Sequence, residues 1–497
     1  MSFNHLSSVE AAAMIPHGAT VGFSGFTPAG SAKSIPVAIA SHARHEHAAG
    51  RPYTIRVLAG ASTGKYIDHE LVQADAVSYR APYQSDSLMR GKINEGKIAF
   101  VDMHLSHFPQ MVLQGFLGKL DFAVIEATEV TADGRVYLTT SIGASPAFLQ
   151  AAKKVFIEIN HKQNPRLREM ADILVPPTPP NRNILPITHV GAKVGKPYAE
   201  VDPAKIVGIV ETDAMDDVEP FTTQNGCAEK IASHVADFLV KERKSGRIPV
   251  EFLPLQAGIG NTCNAIMGKL GNCPDIPDFS MYTEVCQNSL LDLIDAGRLK
   301  MISTTALTLT NDYMQRVFSN IDHYAKHIVL RPQDISNNPE VIRRLGVISI
   351  NTALEVDLMG HVNSSHVMGT KIMNGIGGSG DFTRNAYVSI FVCPALAKGG
   401  AISSIVPMCA HVDHNEHSVG VIVTDQGYAD LRGKAPRERA HLVIDHCAHP
   451  EFRDDLWRYL RSVSDVHVPH NLTRAFAMHR QYQLAGSMHG IHWDQFL

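Results

Sequence analysis

Short apolar runs recur through the N-terminal half of the chain, each followed by a helical or glycine-rich stretch. Residues 19–24, 55–58, 98–101, 122–125, 155–159 and 205–210 read as strands. Ser7-Ser-Val-Glu10 is a capping-box pattern that opens a short helix over 11–15, and Pro16-His-Gly18 stops it. The strand at 19–24 runs into a loop, Gly25-Phe-Thr-Pro-Ala-Gly30, and residues 31–43 read as a helix. That strand–glycine loop–helix unit is the form that places ligands at the carboxyl ends of strands in α/β sheets. Strands alternating with helices predict a mainly parallel sheet. Ile173-Leu-Val-Pro-Pro-Thr-Pro-Pro180 is too rich in proline for a helix or a central strand and begins an irregular stretch reaching about 204. Residues 213–225 are acidic and polar and read as a crossing between domains. A helix over 228–243 follows, with Ile231, Val235, Phe238 and Leu239 at helical spacing and Gly246 as its stop.

The C-terminal half repeats this logic. Residues 252–257 lead into Gly258-Ile-Gly-Asn261 and a helix from Thr262, as 21–24 lead into Gly25–Gly30 and its helix. Ala127-x-Glu129-Val130-x3-Gly134-x-Val136 recurs as Ala353-x-Glu355-Val356-x3-Gly360-x-Val362. Two such matches at nearly the same offset indicate a tandem duplication. The expectation is an α/β protein of two similar domains, 1–225 and 226–497, with mainly parallel sheets and a ligand cleft at their interface.

Composition narrows the classes. The chain has 497 residues, 44% hydrophobic and 19% charged, with a net charge of −4. That is an ordinary globular composition with the length for two or three cores. There is no long basic run, which argues against a nucleic-acid protein, where a clustered basic face is expected. No signal-peptide pattern and no long apolar run is present, so neither secretion nor a membrane span is expected. Seven dispersed cysteines without a C-x-x-C pair fit reduced thiols in a cytoplasmic setting.

Four places carry candidate chemistry. Asn374-Gly-Ile-Gly-Gly-Ser-Gly-Asp-Phe382 holds four glycines between Gly375 and Gly380 and lies between an alternating segment, 363–373, and a strand entry, 383–391. Such a run reads either as a tight turn or as a loop whose N–H groups converge on an anion or oxyanion. Ser280-Met-Tyr-Thr-Glu284-Val-Cys-Gln287 reads as a short strand ending in a lone carboxylate, with Ser289 opening a helix over 290–294. Glu284 is then a general base, a nucleophile, or a solvated or ion-paired side chain. In Asp334-Ile-Ser-Asn-Asn-Pro-Glu340, Asn338 caps a helix with Pro339 at its first position. Asn337 is left either to cap the loop or to turn its amide into a cleft. His411-Val-Asp-His-Asn-Glu-His417 offers His411, His414 and His417 with acids, but not at the spacing of a helical histidine pair, and the chain has 26 histidines.

Together these segments carry a resemblance. Gly258-Ile-Gly-Asn261, Tyr282-Thr-Glu284, Ser336-Asn-Asn-Pro-Glu340, Asn351-Thr-Ala-Leu-Glu355, the glycine run, His411-Val-Asp-His414 and Gly427-Tyr-Ala-Asp-Leu-Arg432 occur in that order, and Gly25–Gly30 agrees in the first half. The chain resembles the acetyl-CoA hydrolase/transferase family, the class I CoA-transferases, and within it the succinyl-CoA:acetate type. The resemblance implies a CoA-transferase with Glu284 as nucleophile, Asn337 and the Gly378 N–H as oxyanion donors, and a ping-pong route through a glutamyl-CoA thioester. It places CoA at Gly258, Ile259, Gly260, Asn261, Thr262, Cys263, Asn374, Gly378 and Lys398. It further implies no tightly bound cofactor, coenzyme A as substrate and product, acetate and succinate as partners, a cytoplasmic homodimer linking acetate metabolism to the citric acid cycle, and no metal. Acetyl-CoA hydrolysis and other short acyl preferences, propionyl or butyryl, are the alternatives. One departure is Asp425, where many relatives carry glutamate before the glutamine.

Overall fold

The computed structural model describes residues 3–180, 182–219 and 226–496. The chain packs as two compact units, each drawn from separated stretches. One holds Met1–Pro220, Ser280–Leu345 and Asn374–Asp381; the other holds Phe221–Phe279, Gly346–Met373 and Phe382–Leu497. A single division at 225 does not follow this packing, because 280–345 and the glycine run belong to the body built by the N-terminal stretch. Of the crossing read over 213–225, residues 220–225 lie outside the described residues.

The first unit is built on a seven-stranded sheet. Its spatial order is Ile206–Thr212, Lys154–Asn160, Phe122–Ala127, Thr20–Phe23, Ile55–Ala59, Val77–Ala81 and Ala99–Phe100. Every pairing in it is parallel. Phe122–Ala127 is buried throughout, as a strand covered on both faces must be. Each strand expected from the apolar runs is present. Val77–Ala81 is the addition, hidden in the sequence by Arg80, a fully buried residue whose guanidinium pairs with Asp68 at 2.8 Å.

The strand order reverses beside Thr20–Phe23: the next three strands lie on one side of it, and the chain then returns to its other side. Crevices at the carboxyl ends of strands at such a reversal are the usual ligand positions. The loop leaving that strand is fixed by buried charge. Lys33, 1% exposed, pairs with Glu126 and, at 2.9 Å, with Asp216. Asp216 also accepts from the Gly30 N–H, and Glu158 accepts from Ser34 and Ile35 at the start of helix Ser34–Ala48. A carboxylate there meets the positive end of the helix dipole.

The 280–345 stretch joins this body through bridges Ser141↔Ala306, Gly143↔Pro332 and Ala171↔Leu330. The second unit carries strands Leu255–Ala257, Ile348–Thr352, Val388–Val392 and Val421–Thr424 in parallel, closed by the antiparallel strand Gly427–Asp430. Its core gathers Phe391, Ile422, Ile444, Phe452 and Trp493, among others. Helix Gly226–Lys244 realises the 228–243 periodicity, burying Ile231, Val235, Phe238 and Leu239. No disulfide forms among the described residues.

Candidate active site

Glu284 sits at a bend between strand Phe279–Tyr282 and the short strand Val285–Cys286. The strand ends two residues before the carboxylate, and the helix that follows starts at Asn288. The Glu284 carbonyl accepts from Thr305 N at 2.9 Å and Thr304 Oγ1 at 2.7 Å, which fixes the bend. Asn337, fully buried, closes helix Gln333–Ser336, and Asn338 caps the next helix by accepting from Glu340 N and Val341 N. That division of labour leaves the Asn337 amide free of capping. Its Nδ2 donates to Glu284 Oε1 at 2.8 Å.

The glycine run completes the group. Gly377 has φ +59°, the left-handed region where glycine is at no disadvantage. Gly378 needs glycine for space instead: a Cβ there would overlap Glu284 Oε1 and Asn337 Nδ2 and lie 2.6 Å from Glu284 Cδ. The run is docked on the loop after strand Ala99–Phe100. Asp102 accepts from Ile376 N through both oxygens, at 2.9 and 3.0 Å, and Leu105 N donates to Gly377 O at 3.2 Å. Short helix Ser379–Thr383 then carries Asp381, 4% exposed, which accepts from Ser106 N at 3.0 Å and Ser106 Oγ at 2.6 Å. Asn374 accepts from Gly375 N and meets the Tyr83 hydroxyl.

Electrostatics follow from the burial. Glu284 keeps partial exposure, yet desolvation pushes its carboxyl up to about 7 against the pull of the Asn337 amide, which favours the charged form. Burial likewise pushes Asp381 up to about 7; the Ser106 donors oppose the shift and the Glu284 charge adds to it. A carboxylate of this kind is a stronger nucleophile and base than one in water, and it has the Asn337 amide and the Gly378 backbone beside it.

The remaining expected residues lie in the second unit. Strand Leu255–Ala257 turns through Gly258, Ile259 and Gly260 into helix Asn261–Gly271. Gly260 has φ +120° and open space beside it; Cys263 is buried behind Gly258. A strand, a glycine turn and a helix start form the arrangement that receives phosphate groups. Lys398 is exposed and donates from Nζ to Tyr482 OH at 2.9 Å. Asp425 accepts from Ala395 N and Gln426 Nε2, both at 2.7 Å, so the shorter carboxylate is held locally at the turn before Gly427–Asp430. His411, His414 and His417 do not converge: His414 is buried against Phe391, and His417 is exposed beside Glu416. His411 stacks on His366 and meets Asp413 at 3.2 Å, while Asp413 accepts from Ser364 N and Ser365 Oγ. The Asp413 carboxylate thus takes hydrogen bonds from the loop between strands Val362–Asn363 and His366–Val367.

Residues 3–211 match the acetyl-CoA hydrolase/transferase N-terminal domain, and 314–460 match its C-terminal domain. The propanoyl-CoA:succinate CoA transferase of Escherichia coli is 52% identical over 98% of this chain and 99% of its own length. The chain belongs to the acetyl-CoA hydrolase/transferase family. Its relatives in that family also include the succinyl-CoA:acetate CoA-transferase of Clostridium kluyveri, 44% identical over 96% of this chain and 89% of the relative. The acetyl-CoA hydrolase of Candida albicans is 40% identical, covering 97% and 95%. Among solved structures, RipA from Yersinia pestis aligns with TM-score 0.70 at 22% identity, over 92% of this chain and 97% of that one. A 4-hydroxybutyrate CoA-transferase from Porphyromonas gingivalis aligns with TM-score 0.63 at 20% identity, with the same coverage. At these identities the two structures support the fold. Family membership makes this chain an enzyme of the CoA-transferase/hydrolase class.

Asp102, Ser106, Tyr83 and Asp381 stand beside the glycine run and Asn337 without having been singled out from the sequence. Asp381 had a visible signal, as a carboxylate inside the glycine run. The other three stand in loops after strands of the first sheet, and their approach to the run is visible only once the chain is folded.

Proposed function

We propose that this enzyme transfers coenzyme A between acyl groups with Glu284 as the covalent carrier. The observation that carries the reading is the meeting of the Glu284 carboxylate, the Asn337 amide at 2.8 Å and a Gly378 backbone with no room for a side chain. Glu284 attacks the thioester carbonyl of the acyl-CoA, and the tetrahedral oxyanion collapses with loss of CoA thiolate to an acyl-glutamyl anhydride. The thiolate attacks the glutamyl carbonyl and expels the first carboxylate, leaving a glutamyl-CoA thioester. An incoming carboxylate attacks that thioester, the thiolate leaves, and its attack on the new acyl carbonyl frees Glu284 and the second acyl-CoA. Each step exchanges one activated acyl bond for another, which is covalent catalysis with ping-pong kinetics. Asn337 Nδ2 and the Gly378 N–H are the oxyanion donors in this scheme.

For substrates, we infer succinate as one carboxylate and a short monocarboxylate as the other. Acetate is the partner in the succinyl-CoA:acetate reading; the relative at 52% identity makes propanoate the competitor. Gly258–Cys263 and Lys398 are assigned to CoA, Asn374 and Gly378 to its reacting end, and the enzyme to a cytoplasmic homodimer. Hydrolysis is the second reading, favoured by the relatives named acetyl-CoA hydrolases. Incubation with succinyl-CoA, proteolysis and mass spectrometry test the mechanism: a CoA adduct on the peptide containing Glu284, absent in Glu284→Ala, is expected. An unmodified peptide alongside full turnover would sink it. Release of free CoA without added carboxylate separates hydrolase from transferase.

A further inference from the structure

The Asn337 amide faces two carboxylates. One of its Nδ2 hydrogens goes to Glu284 Oε1 at 2.8 Å, and Nδ2 lies 3.4 Å from Asp381 Oδ2. On its other side, Ser336 Oγ donates to Asn337 Oδ1 at 2.8 Å. The two ends of a side-chain amide have nearly the same shape, so nothing but its partners decides which end points where. Rotated by half a turn, Asn337 would set its oxygen against Glu284 and Asp381 and lose the Ser336 donor. Asp381 is itself held at both oxygens, which accept from Ser106, one from the backbone and one from the hydroxyl.

We propose that Asp381, clamped by Ser106, is a positioning residue for the transfer: it fixes the Asn337 amide with an N–H toward Glu284, whose own carbonyl carries the oxyanion when the thiolate attacks the anhydride. The residue touches no substrate in this scheme. It acts by adding a second carboxylate on the N–H side of Asn337, against which a flipped amide oxygen would be repelled, so the donor needs no reorganisation when the oxyanion forms. The assignment rests on Glu284 and Asn337 acting as proposed above.

The test is a double-mutant cycle on the full chain with Asp381→Asn and Asn337→Ala. Wild-type protein is first incubated with acyl-CoA; if no adduct maps to Glu284, the functional reading fails and the cycle is not its cause. With the adduct present, Asp381→Asn should lower kcat about 10- to 100-fold at little-changed KM, the cost of a misplaced catalytic group. In the Asn337→Ala background, where no amide remains to orient, the same change should lower kcat no more than about threefold. A merely structural aspartate would give equal losses in both backgrounds, and that result, or a kcat for Asp381→Asn within about threefold of wild type, overturns the proposal. Ser106→Ala removes one donor of the clamp, is smaller, and serves as the second variant where Asp381→Asn fails to fold; it should show a weaker loss with the same dependence on Asn337.

Discussion

Gly378 has the least room of the glycines in the run. Its φ needs no glycine, so an alanine there is not a backbone problem; the added carbon would overlap the Glu284 carboxylate and the Asn337 amide. The Asn337 oxygen is held by Ser336 and the Glu284 backbone by Thr304 and Thr305, so relief comes from swinging the Glu284 carboxylate away from the Asn337 amide. Gly378→Ala should therefore leave the fold intact and lower kcat at least about 100-fold, the scale of losing one oxyanion donor. Steady-state kinetics alongside a thermal melt check this; near-normal kcat would show that Glu284 and Asn337 make room for the methyl group without losing their alignment. At this scale the sequence was informative about residue type and silent about partners. The glycine run and the lone Glu284 stood out by composition. Asn338 as the cap was readable from the proline behind it; that the leftover Asn337 turns its amide to Glu284 joins positions 53 residues apart, which no spacing rule supplies.

At the scale of elements, the glycine run is a loop whose shape comes from another loop. The pattern of its own residues shows only that the backbone must be unhindered. Its position comes from Asp102, which takes the Ile376 N–H on both oxygens, and from the Leu105–Gly377 hydrogen bond. These contacts join positions more than 270 residues apart in the chain, and for that reason they were illegible beforehand, whereas the parallel strands followed from local apolar runs. Asp102→Ala should free the run without emptying the core. The expected outcome is a kcat reduced about tenfold, with faster amide exchange at Ile376, Gly377 and Gly378 than in wild type. Hydrogen exchange read by mass spectrometry decides it. Unchanged exchange across 374–381 would mean that the glycine run holds its shape alone.

At the scale of the whole molecule, the same burial acts on activity and stability in opposite directions. Glu284, Asp334 and Asp381 are each pushed up to about 7, in every case chiefly by desolvation. Their folded-state values lie above the unfolded ones, so the folded protein holds these protons more tightly. The stability they contribute is fully present below the ordinary carboxylate range and is lost as pH rises through about 7. The nucleophile, by contrast, must be charged to attack, so kcat/KM for acyl-CoA should climb over the same interval and level off above it. Other groups titrate nearby: His361 is raised by Asp357, and His366 and His470 are lowered by burial, so the slope of the melt alone is not diagnostic. The comparison with Glu284→Gln is. That substitution keeps an oxygen for Asn337, removes one ionisable group and relieves the charge that raises Asp381. A tenfold difference in proton affinity between folded and unfolded chain is worth about 1.4 kcal/mol, so the stability of wild type should fall relative to Glu284→Gln by at most a few kcal/mol between about pH 5 and 8. Scanning calorimetry of both proteins at several pH values reads this as a Tm difference that moves steadily against wild type as pH rises. Parallel Tm curves would show that Glu284 is not desolvated in the folded protein, and the rise of kcat/KM through about 7 should then be missing as well.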